Sequence, residues 1–448
     1  MEIRAEKNES DRKDCSGHHF LFWVENGLSY KIVLDSKQIM PNFVLTLKQT
    51  MEALLQFQNN LQAQLPRDWH RYLFTSLPDN ERLMGIKGLR GVGKTTLMLQ
   101  YLAQKHPRPD KGLYVTADHP YFYDTTLFDL AGSWYSLGGD LLLVDEVHKY
   151  PNWSRELKLI YDGHPGLQII FTSSSALDLY RGESDLSRRL RVHTLHGLSF
   201  REYLSLIHDI QVDPVSLVHL LENHMSLAGK WTRNFKPLEY FGQYLSQGYF
   251  PFANEVAQGG LSPRFIQILN TVLESDLSHI EDFNAANVQK IKKLLGVIAG
   301  SVPFEPNISK IAERLGLGRV SVLNYLKNLS DASVVNLLNR PQKGMSHLQK
   351  PDKIYFENTC FSIALSSKAE IGTLRETFAL NQLKNAGHQV ELGDRGDFLI
   401  DGLYTFEIGG KGKNFSQVKG LDNAYLAVDD IEVGFGKKLP LWMLGMLY

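Results

Sequence analysis

Cysteine is almost absent: the 448 residues hold only two, Cys15 and Cys360. A pair so far apart in the chain builds neither a disulfide framework nor a zinc cluster. A reducing cytoplasm is the expected home. Long apolar runs are missing too. None reaches the roughly 18 to 20 residues that span a bilayer, so no membrane role is expected. The opening "MEIRAEKNESDRKDCSGHH" is charged and lacks the apolar core of a secretion signal. Nor is there an excess of one charge. Lys and Arg total 48 against 49 Asp and Glu, a formal net of -1. That excludes the whole chain as a polyanion binder, though not a local basic surface. No internal repeat or low-complexity tract is visible.

What is present is an ordinary folding composition, 43% hydrophobic and 22% charged. The length calls for two to four domains. Residues 1–64 read as an N-terminal extension and a helix. Within them, "FLFWVENGLSYKIVLD" is either two short strands or a segment outside the compact fold, while 42–64 has helical apolar spacing. From 65 to 206 short apolar runs, "RLMGIKGL", "GLYVTAD", "LLLVDEV" and "LQIIFTSS", alternate with helical stretches. That alternation predicts a parallel sheet covered on both faces. A helical segment is expected over 207–288. A helix-turn-helix with wing strands follows over 289–365, its two helices joined by "GLG". Residues 371–448 read as a helix followed by strands, and the apolar tail "LPLWMLGMLY" is expected to pack as a terminal strand or helix end.

The most specific motif is "GLRGVGKT", Gly88 to Thr95, between a strand and a helix. It fits the phosphate-binding P-loop pattern without a mismatch. Gly88, Leu89, Arg90, Gly91, Val92, Gly93, Lys94, Thr95 and Thr96 would wrap phosphate oxygens in backbone N–H groups at a helix N-terminus. Lys94 would reach the β- and γ-phosphates and Thr95 would hold Mg²⁺. "LLLVDEVH" places Asp145 and Glu146 at a strand's carboxyl end, where ligands of such sheets bind. Asp145 would hold Mg²⁺, directly or through water, and Glu146 would polarise the attacking water. The expected cofactors are therefore ATP and Mg²⁺. In "IIFTSSS" one hydroxyl among Thr172 to Ser175, with Ser174 in the set, could sense the γ-phosphate. In "DLSRRLR", Arg188, Arg189 and Arg191 are candidates for an arginine acting on a neighbouring copy, which would require a homo-oligomer. The bland alternative is a solvated basic stretch or a salt-bridge set.

The order "RYLF", "RLMGIKGLRGVGKTTLMLQYL", "LLLVDEVHKYPNW", "IIFTSSSALDL", "DLSRRL", "GLSFREYL" resembles the AAA-type P-loop ATPase family of bacteria and archaea that carries a C-terminal domain of unknown function. The resemblance spans roughly 70–448. It implies an AAA-like ATPase core, then a winged helix, then a nuclease-like fold, an α/β multidomain architecture. The helix-turn-helix stretch supports a DNA partner by charge. Residues 290–350 hold ten Lys/Arg against three Asp/Glu, a net of +7, so the rest of the chain sums to -8. Arg319 and Lys327 are the candidate contacts. The alternative is that this face packs on a neighbouring domain.

The last block also resembles the PD-(D/E)xK nucleases. Glu376 lies on a helix, Asp397 and Glu407 on successive strands, then come Lys411 and Gln417, the latter expected to open a helix. Oxygen ligands of this kind suit Mg²⁺ or Mn²⁺, with Asp397 and Glu407 as the metal pair. One departure is plain: the position two after Glu407 is Gly409, not lysine. A glycine bulge could re-aim Lys411; otherwise the unit is a nuclease-like shell that recognises DNA or a protein without cutting. Asp401 could simply serve a hairpin turn at "DG".

Overall fold

The computed structural model describes residues 51–174, 186, 188–255, 260–276, 285–300, 305–341, 350–366 and 369–448. The two-strand reading within residues 1–40 and Ser175 lie outside these.

The first sheet has strands β1 (Leu83–Lys87), β2 (Gly112–Thr116), β3 (Leu141–Asp145), β4 (Gln168–Ser173) and β5 (Arg191–Thr194), in the order β2-β3-β4-β1-β5. Every pairing is parallel. The expected parallel sheet is therefore present, and it is buried on both faces, as near-continuous Leu, Val and Ile runs require. On one face, β1, β3 and β4 side chains pack on helix α1 (Lys94–Gln100) and on apolar residues from 249 to 361. On the other, helices α2 (Leu127–Ser136) and α3 (Trp153–Gly163) cover Leu142, Val144 and Phe171. The order places β4 between the P-loop strand β1 and the acidic strand β3. A residue at the end of β4 can thus touch both.

Helices α4 (Phe200–His208), α5 (Leu217–Trp231) and α6 (Pro237–Gln247) do not build their own core. Their apolar faces share one with Phe378, Leu383, Phe406, Leu439 and Trp442 of the last 78 residues. Position 206 lies inside that shared core. Helix α4 starts with a capping box between Ser199 and Glu202. The apolar tail is buried, as a short strand, Lys438–Pro440, and a 3₁₀ turn, Leu441–Met446, against α4.

Further along, helices α7 (Leu261–Thr271) and α8 (Ala285–Ala299) precede a tight helix pair. Helix α9 (Ile308–Leu315) ends at Gly316 in the left-handed region, and α10 (Arg319–Asp331) starts after Gly318. Strands β6 (Val335–Leu338) and β7 (Lys353–Phe356) pair antiparallel behind them. Val322, Leu326 and Leu329 face the core, while Arg319, Val320 and Lys327 are exposed.

Helix α11 (Thr359–Leu365) leads to α12 (Ile371–Asn385), which packs on a second sheet. That sheet has β8 (Val390–Leu392), β9 (Phe398–Ile400), β10 (Tyr404–Gly409), β11 (Ala424–Val428) and β12 (Lys438–Pro440), ordered β12-β11-β10-β9-β8. The β8-β9-β10 meander is antiparallel, and β11 and β12 continue it in parallel. Asp401 (φ 52) and Gly402 (φ 66) make the β9–β10 turn. Both take the positive φ that a type I′ hairpin needs.

Candidate functional site

The P-loop runs from the end of β1 into α1. Gly91 and Gly93 have φ of 85 and 95, conformations in which a side chain is strained. Lys94 is buried and folds back on its own loop, its Nζ donating to Gly88 O at 2.8 Å and Leu89 O at 3.3 Å. Thr95 Oγ1 donates to Asp145 Oδ2 at 2.5 Å. The structure thus joins two residues fifty positions apart. Asp145 Oδ2 also accepts from Tyr114 Oη at 2.9 Å, and Oδ1 from the Thr172 hydroxyl. Glu146 N donates to Thr172 Oγ1 at 2.9 Å and to Asp145 Oδ1 at 3.1 Å. Thr172, at the end of β4, therefore fixes the Asp145 carboxylate and the Glu146 backbone. Glu146 itself adopts φ 51, which turns its side chain away from the strand's course. Its carboxylate pairs with Lys149 Nζ at 2.5 Å, and the same Nζ meets Asp118 at 2.6 Å. Burial alone would raise the Glu146 carboxyl. The hydrogen-bonded Lys149, with Arg90 and His148 beyond, holds it below the usual carboxylate range.

A hydroxyl and a carboxylate converging beside the phosphate loop are hard oxygen donors of the kind Mg²⁺ takes. Thr95 and Asp145 therefore fit that ion.

Two cavities flank the loop. One, about 360 Å³, is lined by Leu65, Pro66, Trp69, Thr96, Leu99 and Ile207. The other, about 340 Å³, lies over the loop tip between Arg90 and Gly91 on one side and Phe252, Arg264 and Gln267 on the other. Sequence reading missed these walls because they come from segments far from the motif.

The other predicted residues are placed as follows. Ser174 Oγ meets His148 Nε2 at 3.1 Å. Arg189 is committed to Asp162, with two contacts at 2.9 and 3.0 Å, and Arg191 pairs with Glu81 at 2.8 Å. Arg188 is exposed, with φ 81.

In the last unit, the Asp397 charge acts on both Glu376 and Glu407. Burial and the Asp397 charge raise the Glu376 carboxyl, against the Tyr355 hydroxyl that donates to it at 2.7 Å. Burial also raises Glu407; Lys413 opposes the rise and Asp397 adds to it. Two readings need correction. The lysine that meets Glu407 is Lys413, not Lys411, whose side chain is exposed. The Gly409–Gly410 pair explains why. A Cβ at 409 would lie 2.8 Å from the Lys413 stem, and one at 410 would lie 2.9 Å from Arg375 Nη1. These glycines clear a path for a lysine four residues on. Gln417 opens no long helix: it sits, exposed, in the single 3₁₀ turn Phe415–Val418. Among the described residues no group of three His, Cys, Asp or Glu side chains is arranged to hold a metal ion, so Asp397 and Glu407 remain a pair.

Comparison with known proteins places two family matches on this geometry. Residues 80–204 match the AAA domain, and residues 238–370 match a domain of unknown function. The second match ends before α12. Over 378 residues the chain is 26% identical to an uncharacterized protein of Methanocaldococcus jannaschii, covering 80% of this chain and 77% of that one. A Walker-type ATPase of Pyrococcus abyssi aligns at 13% identity with a TM-score of 0.37, over 64% of this chain and 91% of that chain. AMPPCP-bound DnaA from Aquifex aeolicus aligns at 14% identity with a TM-score of 0.25, over 58% and 84%. The AAA domain match supports ATP binding and an AAA-type ATPase core over residues 80–204. Among the described residues no helix is long and apolar enough to cross a membrane.

Proposed function

We propose that this chain is a Mg²⁺-dependent ATPase whose nucleotide state is passed to its C-terminal half. The observation that carries the reading is the hydrogen-bonded set Thr95–Asp145–Thr172–Glu146 against the P-loop. In it, the loop's N–H groups and Lys94 bind the phosphates, Lys94 leaving the Gly88 and Leu89 carbonyls to do so. Thr95 and Asp145 would hold the cation, which would supply charge neutralisation for the phosphates when bound. Glu146 orients and deprotonates the attacking water. The 360 Å³ apolar cavity beside Thr96 is within the usual range for a ligand pocket and would take the base. Steady-state phosphate release tests this. Lys94→Ala is expected to remove turnover with loss of binding. Glu146→Gln is expected to keep binding and lose roughly 10² to 10⁴-fold in turnover. Full turnover by both variants would refute the assignment.

A second reading is a slow, nucleotide-gated switch. It is favoured by the Lys149 ammonium, which occupies the Glu146 carboxylate and bridges it to Asp118. In that reading Lys149→Ala frees the base and raises turnover; unchanged turnover speaks for the faster enzyme.

For the C-terminal half, the exposed Arg319 and Lys327 on α10 and the net charge of +7 support a winged helix that meets a nucleic-acid backbone. The order of α12 and the mixed sheet, with the Asp397 charge acting on both Glu376 and Glu407, supports a nuclease-like unit. Cleavage of labelled DNA with Mn²⁺, wild type beside Asp397→Ala, separates a cutter from a recognition shell.

A further inference from the structure

Arg71, twenty-three residues before Lys94, opens the "RYLF" stretch without a role assigned to it, and it is only 2% exposed. Its guanidinium makes a full set of contacts. Nε and Nη2 donate to Glu202 at 3.0 and 3.2 Å. Nη2 also donates to His196 O at 2.6 Å and Gly197 O at 3.0 Å. Nη1 donates to the carbonyl oxygen of Val92, inside the P-loop. Glu202 is equally buried and also accepts from Tyr72 N at 2.8 Å and Ser199 N at 3.2 Å.

Burying an ion pair is weak support for stability, because desolvation offsets the attraction. A well-packed apolar pair would serve a merely structural site as well. What an apolar pair cannot do is hold a carbonyl. The Val92–Gly93 peptide is planar and trans, so its C=O and N–H point in opposite directions. Drawing Val92 O toward Arg71 turns the Gly93 N–H to the other side. Gly93 is the left-handed residue at the N-terminus of α1, where N–H groups meet an anion. A rigid fork with donors on both branches is what this needs; a lysine offers a single point charge.

We infer that Arg71 is a positioning residue for phosphate: buried against Glu202, it locks the Val92–Gly93 peptide so that the loop is set for the nucleotide's phosphates before they arrive. The inference rests on the reading of the P-loop as an ATP site. It also explains why "RYLF" and "FREYL" flank the nucleotide domain: Arg71 of the first meets Glu202 of the second.

The test is the ratio of ATP to AMP affinity, measured by competition against a fluorescent ATP analogue. Two variants are used. Arg71→Met with Glu202→Met replaces the pair by apolar residues. Arg71→Lys keeps a charge opposite Glu202 but not the fork. Melting temperature identifies the folded variants. In a folded variant the ATP:AMP ratio is expected to fall at least tenfold, because both nucleotides share the base cavity, which Arg71 and Gly93 also line, and only ATP places outer phosphates on the loop. A ratio within twofold of wild type in either folded variant, or equal loss for both nucleotides, would overturn the inference. Wild type that binds no ATP would instead overturn the reading beneath it.

Discussion

At the scale of single residues, the site was legible where chemistry is contiguous in the chain. Gly88 to Thr95 could be read because a phosphate cradle needs glycines, a lysine and a hydroxyl within one turn. Asp145 and Glu146 could be read because a buried strand ending in two acids has few other uses. The pairing of Arg71 with Glu202 could not, since it spans 131 positions and nothing in "RYLF" or "GLSFREYL" says that the two meet. Lys413 was missed for a different reason. The expected place for a lysine is two residues after Glu407 on the same strand face. The chain instead leaves glycine there and passes a later lysine over the gap. One residue-scale prediction follows from Gly88. A Cβ there would collide with the carbonyl oxygen of Leu195, a backbone atom that cannot step aside. Gly88→Ala is expected to destabilise the protein by about 1–3 kcal/mol, as overpacking does. Chemical denaturation measures it, and an unchanged midpoint would mean that β1 and β5 separate more easily than their register implies.

At the scale of elements, the alternation of apolar runs correctly indicated the parallel sheet, but not the partners of the helices after it. Amphipathic spacing says that α4–α6 bury one face; it does not say against what. The answer, the second sheet and the apolar tail, lies some 180 residues on. The junction between the β6–β7 pair and α12 carries a pH-linked group. Glu357, just after β7, is buried, and burial pushes its carboxyl up to about 7 against the pull of Lys384. Asn336 and Asn381 donate to its carboxylate at 2.8 and 3.2 Å. For an acid raised on folding, the native state holds the proton more tightly than the unfolded chain. Stability therefore falls as pH rises through the window from the unfolded value, about 4.3, to about 7. The loss is on the order of 3 kcal/mol once both states are ionised. In Glu357→Gln the melting temperature is expected to vary less between pH 5 and pH 8 than in wild type. An equal pH dependence in the two proteins would remove Glu357 as its source.

At the scale of the whole molecule, the two α/β units meet through the segment 196–202. Arg71 reaches the P-loop from one side of it. On the other side, Tyr448 Oη donates to Gly197 O at 3.3 Å and accepts from Asn385 at 3.0 Å on α12, while Ser199 and Arg201 donate to the Tyr448 carbonyl oxygen at 2.7 and 2.9 Å. This is a contiguous set of contacts from the phosphate loop to the last unit, along which the proposed coupling would be tested. Adding an ATP analogue is expected to change amide exchange along 371–385 in wild type. Tyr448→Phe, which removes the hydroxyl that joins α12 to Gly197, is expected to bind nucleotide as before and to lose that change. A full response in the variant would place the coupling elsewhere.

The proposed activity and its coupling stand on nucleotide at the P-loop. Calorimetric titration of Mg²⁺–ATP into wild type and Lys94→Ala tests that most directly. Saturable binding of one nucleotide per chain in wild type, weakened at least tenfold in Lys94→Ala with the melting temperature retained, is the predicted result. No binding by folded wild type, or equal binding by the variant, would contradict the account.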